Sequence, residues 1–178
     1  MTQQEITEKL RAAFAEVEKT GNSFSEEHFF QKPATDKWSA GENIQHLFVS
    51  VKPLVGLFGK PELMLQQWGK ANRASMSYET LVEAYLEKLR QGGVAPAAFA
   101  PEVLATQAEQ MENLHSINSK FLERASQLTE EVLETCQIPH PLLGLLTVKE
   151  FLLFTIYHTG HHNETIKRLQ KELAAGSQ

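Results

Sequence analysis

The chain has 178 residues, 42% of them hydrophobic and 22% charged, with a net charge of -5. That length suits one folded domain, 1-178, with a sizeable core, and the apolar share excludes a disordered chain. No basic run of the nucleic-acid-binding kind occurs, so nucleic acid is not an expected partner.

The opening MTQQEITEKL is polar and mixed in charge, unlike a secretory signal, and no apolar run approaches the ~20 residues that cross a bilayer. Cys136 is the only cysteine, so an intrachain disulfide is impossible, which suits a reducing compartment. A cytoplasmic protein without membrane attachment is expected.

Helix-period patterns dominate the chain, and strand-like alternation is nearly absent. The first helix is expected from about Thr2 to Lys19, with Ile6, Leu10, Phe14 and Val17 as its apolar stripe. Thr2 and Glu5 have capping-box spacing, and Gly21-Asn22 reads as its stop. A turn of helix follows, with Ser23 and Glu26 again at that spacing.

The second long helix starts near Ser39, which is paired with Glu42. Its stripe is Ile44, Leu47, Phe48, Val51, Leu54, Val55 and Phe58. Pro53 should kink or interrupt it, since proline removes a backbone donor and clashes with the preceding turn. Gly59 and Pro61 close it. Residues 59 to 100 are mixed, with one short helix in SYETLVEAYLEKLRQGG and a loop at VAPAAFAP.

A third long helix is expected from near Pro101 to about Leu128, with Leu104, Met111, Leu114, Phe121, Leu122, Ala125 and Leu128 on one side. IPHPLLG reads as a loop. Thr147 and Glu150 then open a helix to about Leu173. Four long helices and no clear strand give an all-α four-helix bundle. The connection of roughly 40 residues between helices 2 and 3 allows an up-down-down-up order, because a long crossover can return the chain to its starting end.

The last helix carries the chemistry. His158 and His162 lie at i and i+4, on the face marked by Val148, Phe151, Leu152, Thr155, Ile166, Leu169 and Leu173. His161 points elsewhere. Two imidazoles on a core stripe each need a polar partner, and an i, i+4 pair can reach one metal ion. The spacing alone does not separate ligands from hydrogen-bonded core residues.

A catalytic site needs about three protein ligands. His28, His46, His115 and His140 are the candidates for the third. His46 sits more than a right angle off the main stripe of its helix. That helix is nevertheless apolar on most sides, and Val49, Pro53 and Leu57 share the His46 side. The residues alone leave the third ligand open.

WSAGENIQHL, with His46 eight residues after Trp38, resembles the second helix of the DinB and YfiT-like family of metal-binding proteins. HPLLGLLTVKEFLLFTIYHTGHHNETIKRL resembles that family's last helix, a His-Pro-x-x-Gly approach followed by His-x-x-x-His. The resemblance spans most of the chain, with little signal between 60 and 100. It implies an up-down-down-up bundle and a three-histidine metal site made of His46, His158 and His162. Many members carry Gln three residues after the last of these histidines, where this chain has Thr165.

Glu42, Thr165 and His161 are the candidates for the surroundings of the site. Glu42 doubles as a capping residue, and His161 as a solvated one. Zinc or nickel suits nitrogen ligands best, with manganese and iron as alternatives. The resemblance further implies either transfer that depends on a low-molecular-weight thiol or hydrolysis, on a small-molecule substrate, in a protein expected to form a homodimer. A non-catalytic dimeric bundle with a structural metal, or none, is the competing expectation. Asn118 is a weaker candidate pocket residue. Cys136 has no neighbour that would make it a nucleophile.

Overall fold

The computed structural model describes residues 1–102 and 105–176. Eight α-helices and one hairpin follow in order: α1 Gln3–Asn22, α2 Glu26–Phe30, α3 Ala40–Phe58, α4 Pro61–Trp68, α5 Tyr78–Arg90, α6 Gln107–Ser126, α7 Glu130–Thr135, β1 Gln137–His140, β2 Gly144–Thr147 and α8 Val148–Gly176. The four long helices, α1, α3, α6 and α8, form the bundle expected from the periodicity. Helix α3 packs on α6 and α8, and α1 packs on the same two.

Side-chain contacts fix the helix directions. Gln3 at the start of α1 donates to the Ala125 and Leu128 carbonyls at and just past the end of α6, and Gln107 at the start of α6 donates to the Gly21 and Phe24 carbonyls at and just past the end of α1. These two helices are antiparallel. Lys167 late in α8 pairs with Glu16 late in α1, so those two run together. Phe58 late in α3 meets Phe121 late in α6, while Ile44 and Met111, both early, crowd Gly21 together. Thus α3 and α6 run the same way, as the long connection between them allows.

Capping boxes at Thr2–Glu5, Ser39–Glu42 and Thr147–Glu150 form as read. Other boundaries differ. Helix α1 runs through Gly21, where an added Cβ would sit 2.7 Å from Met111 Sδ. Glycine there permits a close approach of two helices rather than ending one. The cap of α2 is Ser25, not Ser23.

Helix α3 is not interrupted at Pro53. One missing donor does not end a helix whose faces are held on both sides by α6 and α8. Helix α6 begins not at Pro101 but after Thr106, which forms its own capping box with Glu109. Leu104 lies outside the described residues. Helices α4 and α7 were not expected. The stretch read as the loop IPHPLLG is an antiparallel hairpin. Its strands have only four residues each, too short for alternation to register, and its three-residue connection ends at Gly144, φ +74°.

The core falls into two clusters. One gathers Phe14, Phe58 and Phe121 with residues of α4, α5, the hairpin and the first half of α8. The other joins Val17, Ile44, Met111, Leu114 and Ile166. Among the described residues no helix is long and apolar enough to cross a membrane.

Candidate metal centre

The Ser39–Glu42 box sets the first turn of α3, and from it two polar side chains enter the interior. Asn43 donates through Nδ2 to the Ser39 carbonyl at 2.8 Å. His46, one turn further, is buried although it lies off the main stripe. Helix α3 is covered by α6 and α8, and residues 97–99 close over a further side. His158 and His162 enter from α8, one turn apart.

The three imidazoles converge. His158 Nε2 lies 3.1 Å from His46 Nε2 and 3.2 Å from His162 Nε2. All three rings are buried, and one ligating nitrogen from each lies within 4.8 Å of the others. Two of the rings have their outer nitrogens engaged by acceptors. His46 Nδ1 donates to the Phe99 carbonyl at 2.7 Å, and His162 Nδ1 donates to Asn43 Oδ1 at 2.7 Å. A neutral imidazole has one proton, so both rings turn a bare Nε2 inward.

Burial holds His46 below the ordinary histidine range. Burial, and then the neighbouring rings, hold His158 and His162 well below it. The rings are therefore neutral near pH 7, the form that ligates.

This donor set fits a divalent metal. Bonds of about 2.0–2.1 Å place adjacent ligand nitrogens roughly 3.0 Å apart at right angles and roughly 3.4 Å apart in a tetrahedron. Two of the three pairs, at 3.1 and 3.2 Å, fall between, and the third lies within 4.8 Å. A single proton on His158 cannot satisfy both inward lone pairs well, whereas one cation serves all three nitrogens.

The other candidates are placed differently. Both Glu42 oxygens are engaged, one by the Ser39 N–H and one by Lys32, so Glu42 is a capping residue. Thr165 donates to the His161 carbonyl and accepts from Arg168, away from the rings. His161 is exposed, stacked on Tyr157 and edge-on to His162. His115 pairs with Glu18 on the surface, and Asn118 donates to the same carboxylate rather than lining a pocket. Burial pushes the Cys136 thiol up, consistent with an inert residue.

Three features escaped the sequence reading. Asn43 positions His162, and its signal was a polar residue one turn before His46. The Phe99 carbonyl positions His46 from a stretch without periodicity. Trp38, read as packing, lies over the site, its ring 5.0 Å from His46 and stacked 6.1 Å from His162.

A cavity of about 270 Å³ opens beside His46 and His158. Val51, Leu54, Trp68, Phe151 and Phe154 give it a mainly apolar wall, and among the described residues no Asp, Glu, Lys or Arg lines it.

A family model described as the DinB superfamily matches residues 9–166. No curated protein matches the sequence. Among solved structures, YfiT from Bacillus subtilis superposes with a TM-score of 0.63 at 14% identity, over 97% of this chain and 87% of its own. It is described as a probable metal-dependent hydrolase with an unusual four-helix bundle topology. A DinB-like protein from Bacillus subtilis, YjoA, gives 0.59 at 15% identity, over 96% and 92% of the two chains. The colibactin self-resistance protein ClbS, solved with a double-stranded DNA, gives 0.57 at 13% identity, over 95% of each chain. A protein of this fold can thus be found on DNA, and the expectation that nucleic acid is excluded as a partner is withdrawn.

Proposed function

The chain belongs to the DinB superfamily, and from that premise we propose that it is a divalent-metal-dependent enzyme acting on a small molecule held in the cavity beside the site. The ligands in this reading are His46, His158 and His162. The observation that carries it is the convergence of three buried, neutral imidazoles, two of them turning a bare Nε2 towards the third. Zinc or nickel is the expected ion, because neutral nitrogen donors with no carboxylate suit borderline cations.

When bound, such an ion lowers the pKa of a thiol or water at an open position and so supplies a nucleophile near neutral pH. The protein's own residues do the rest. Asn43 and the Phe99 carbonyl hold two rings in the ligating tautomer. Trp38 covers them, and the apolar cavity excludes water from the electrophile.

Among the described residues no carboxylate lines the cavity to serve as a general base. That favours a low-molecular-weight thiol as nucleophile, which needs least help to ionise. A carbon–sulfur bond forms as the bond to the leaving group breaks, and the thiol's proton passes to solvent. The description of YfiT supports the second reading, hydrolysis by hydroxide, in which water adds across the cleaved bond.

The test uses protein stripped of metal and reloaded with zinc or nickel, with a simple thiol and a neutral aromatic halide, and separately with an aromatic ester and no thiol. Thiol-dependent halide release that vanishes in His158→Ala supports transfer. Ester cleavage without thiol supports hydrolysis. Neither activity, from fully loaded protein, sinks the catalytic reading.

A further inference from the structure

The cavity has its own polar groups, and they belong to neither the ion site nor the fold's hydrogen-bond ladders. His140, at the end of β1, is buried and accepts through Nδ1 from the backbone N–H groups of both Leu142 and Leu143, each at 3.2 Å. A nitrogen that accepts two donors carries no proton, so the ring's single proton sits on Nε2. That N–H has no acceptor among the described residues, and the ring lines the cavity. Phe154 lies edge-on to it at 4.4 Å and Phe151 is tilted at 5.7 Å, so its surroundings supply no other acceptor.

Tyr85 on α5 repeats the pattern. It is 8% exposed, its ring is perpendicular to His140 at 6.2 Å and to His158 at 6.5 Å, and its hydroxyl has no partner among the described residues. The other hydroxyls on the wall are engaged: Ser50 donates to the His46 carbonyl and Thr155 to the Phe151 carbonyl. With no protein partner, both donors are left to be met from the cavity itself, by water or by a bound molecule.

We infer that the cavity binds an uncharged, apolar-bodied molecule, aromatic or aliphatic, carrying a hydrogen-bond acceptor such as a carbonyl, which His140 Nε2–H and Tyr85 O–H recognise. Without the ion, the charge-free wall sets the class: a carboxylate or ammonium would enter the cavity without a counter-charge and lose its hydration. The volume of about 270 Å³ limits the occupant to a compact molecule. His140 and Tyr85 are specificity residues, held on the hairpin and α5, and they share the cavity wall with His158. The inference rests on the proposed function only in calling this molecule the substrate. The cavity and its donors stand without the ion.

The test measures binding of acetophenone, ethylbenzene and benzoate by calorimetry and by tryptophan fluorescence on protein stripped of metal, with elemental analysis of the unstripped protein beside it. The first two probes differ by one carbonyl, the third by a charge. The parent should bind acetophenone about tenfold more tightly than either of the others, the effect of one or two neutral hydrogen bonds. Tyr85→Phe and His140→Phe should each reduce that preference and their combination abolish it, with metal content unchanged.

His140→Phe also strands two N–H groups of the turn. Tyr85→Phe removes only a hydroxyl and remains decisive if the former does not fold. Equal or tighter benzoate binding, a preference that survives Tyr85→Phe undiminished, or no binding of acetophenone at millimolar concentration overturns the inference. Protein that binds no metal yet prefers acetophenone would refute the metal reading and leave this one standing.

Discussion

Helix α8 buries two polar clusters, and they differ in what their atoms lack. In its first turn, Glu150 is fully buried with both oxygens engaged: Arg73 reaches both, the Met76 N–H reaches Oε1 and the Thr147 N–H reaches Oε2. Burial would raise its pKa, but these donors, Arg73 foremost, hold it below the ordinary value. Two to three turns later, His158 and His162 meet His46, and the bare Nε2 atoms of His46 and His162 converge on His158. The first cluster closes on itself and ties residues 73–76 to the bundle. The second has more lone pairs than protons. A buried polar group that is fully partnered is structural, whereas converging unmet acceptors mark a site.

That contrast can be broken by mutation. Glu150→Ala should cost about 3 kcal/mol of unfolding free energy, since it unpairs two N–H groups, releases the Arg73 guanidinium and removes a cap. Denaturant melts would show this, while metal content in the folded protein stays unchanged. Joint loss of stability and metal would merge the two clusters into one unit.

Asn43→Ala should do the reverse. Metal affinity should fall about 10- to 100-fold, as for loss of a partner that orients a ligand, with a stability loss of only about 1 kcal/mol. Competition with a chromophoric chelator would measure it, and an unchanged affinity would remove Asn43 from the site.

The pH dependence sharpens the contrast further. Burial pushes His140 down to about 4. Below the unfolded pKa near 6.5 the unfolded chain binds a proton that the folded chain does not. The stability contribution is complete above about pH 6.5 and is lost as pH falls towards about 4. Between pH 7 and pH 5 this should remove on the order of 2 kcal/mol, from this one ring. His140→Phe should flatten the curve by that amount, and an unchanged slope would contradict the buried neutral ring. The smallest effect is expected from Thr165→Val, which should leave metal content as it was, because Thr165 bonds only within its own helix face.

The bundle was legible because long apolar stripes and capping boxes speak locally. Thr2, Ser39 and Thr147 each cap where their spacing says. Short elements were not legible: α4, α7 and the hairpin owe their form to packing on the bundle rather than to period, and Gly21 answers to Met111, not to its neighbours in sequence. His158 and His162 stood out by spacing and face. His46 was drawn in by resemblance and by the apolar wrap of α3. Asn43 and Phe99 were not read at all. A backbone carbonyl has no sequence signature, and the amide of Asn43 gains its meaning only from a ring 119 residues away.

The most direct measurement is elemental analysis of the purified protein beside a His158→Ala, His162→Ala double variant, both folded by circular dichroism. Near one zinc or nickel per chain in the parent and none in the variant is the predicted result. A parent that stays empty after incubation with zinc, nickel and manganese would contradict the metal centre and make the three histidines a buried polar cluster of a non-catalytic bundle.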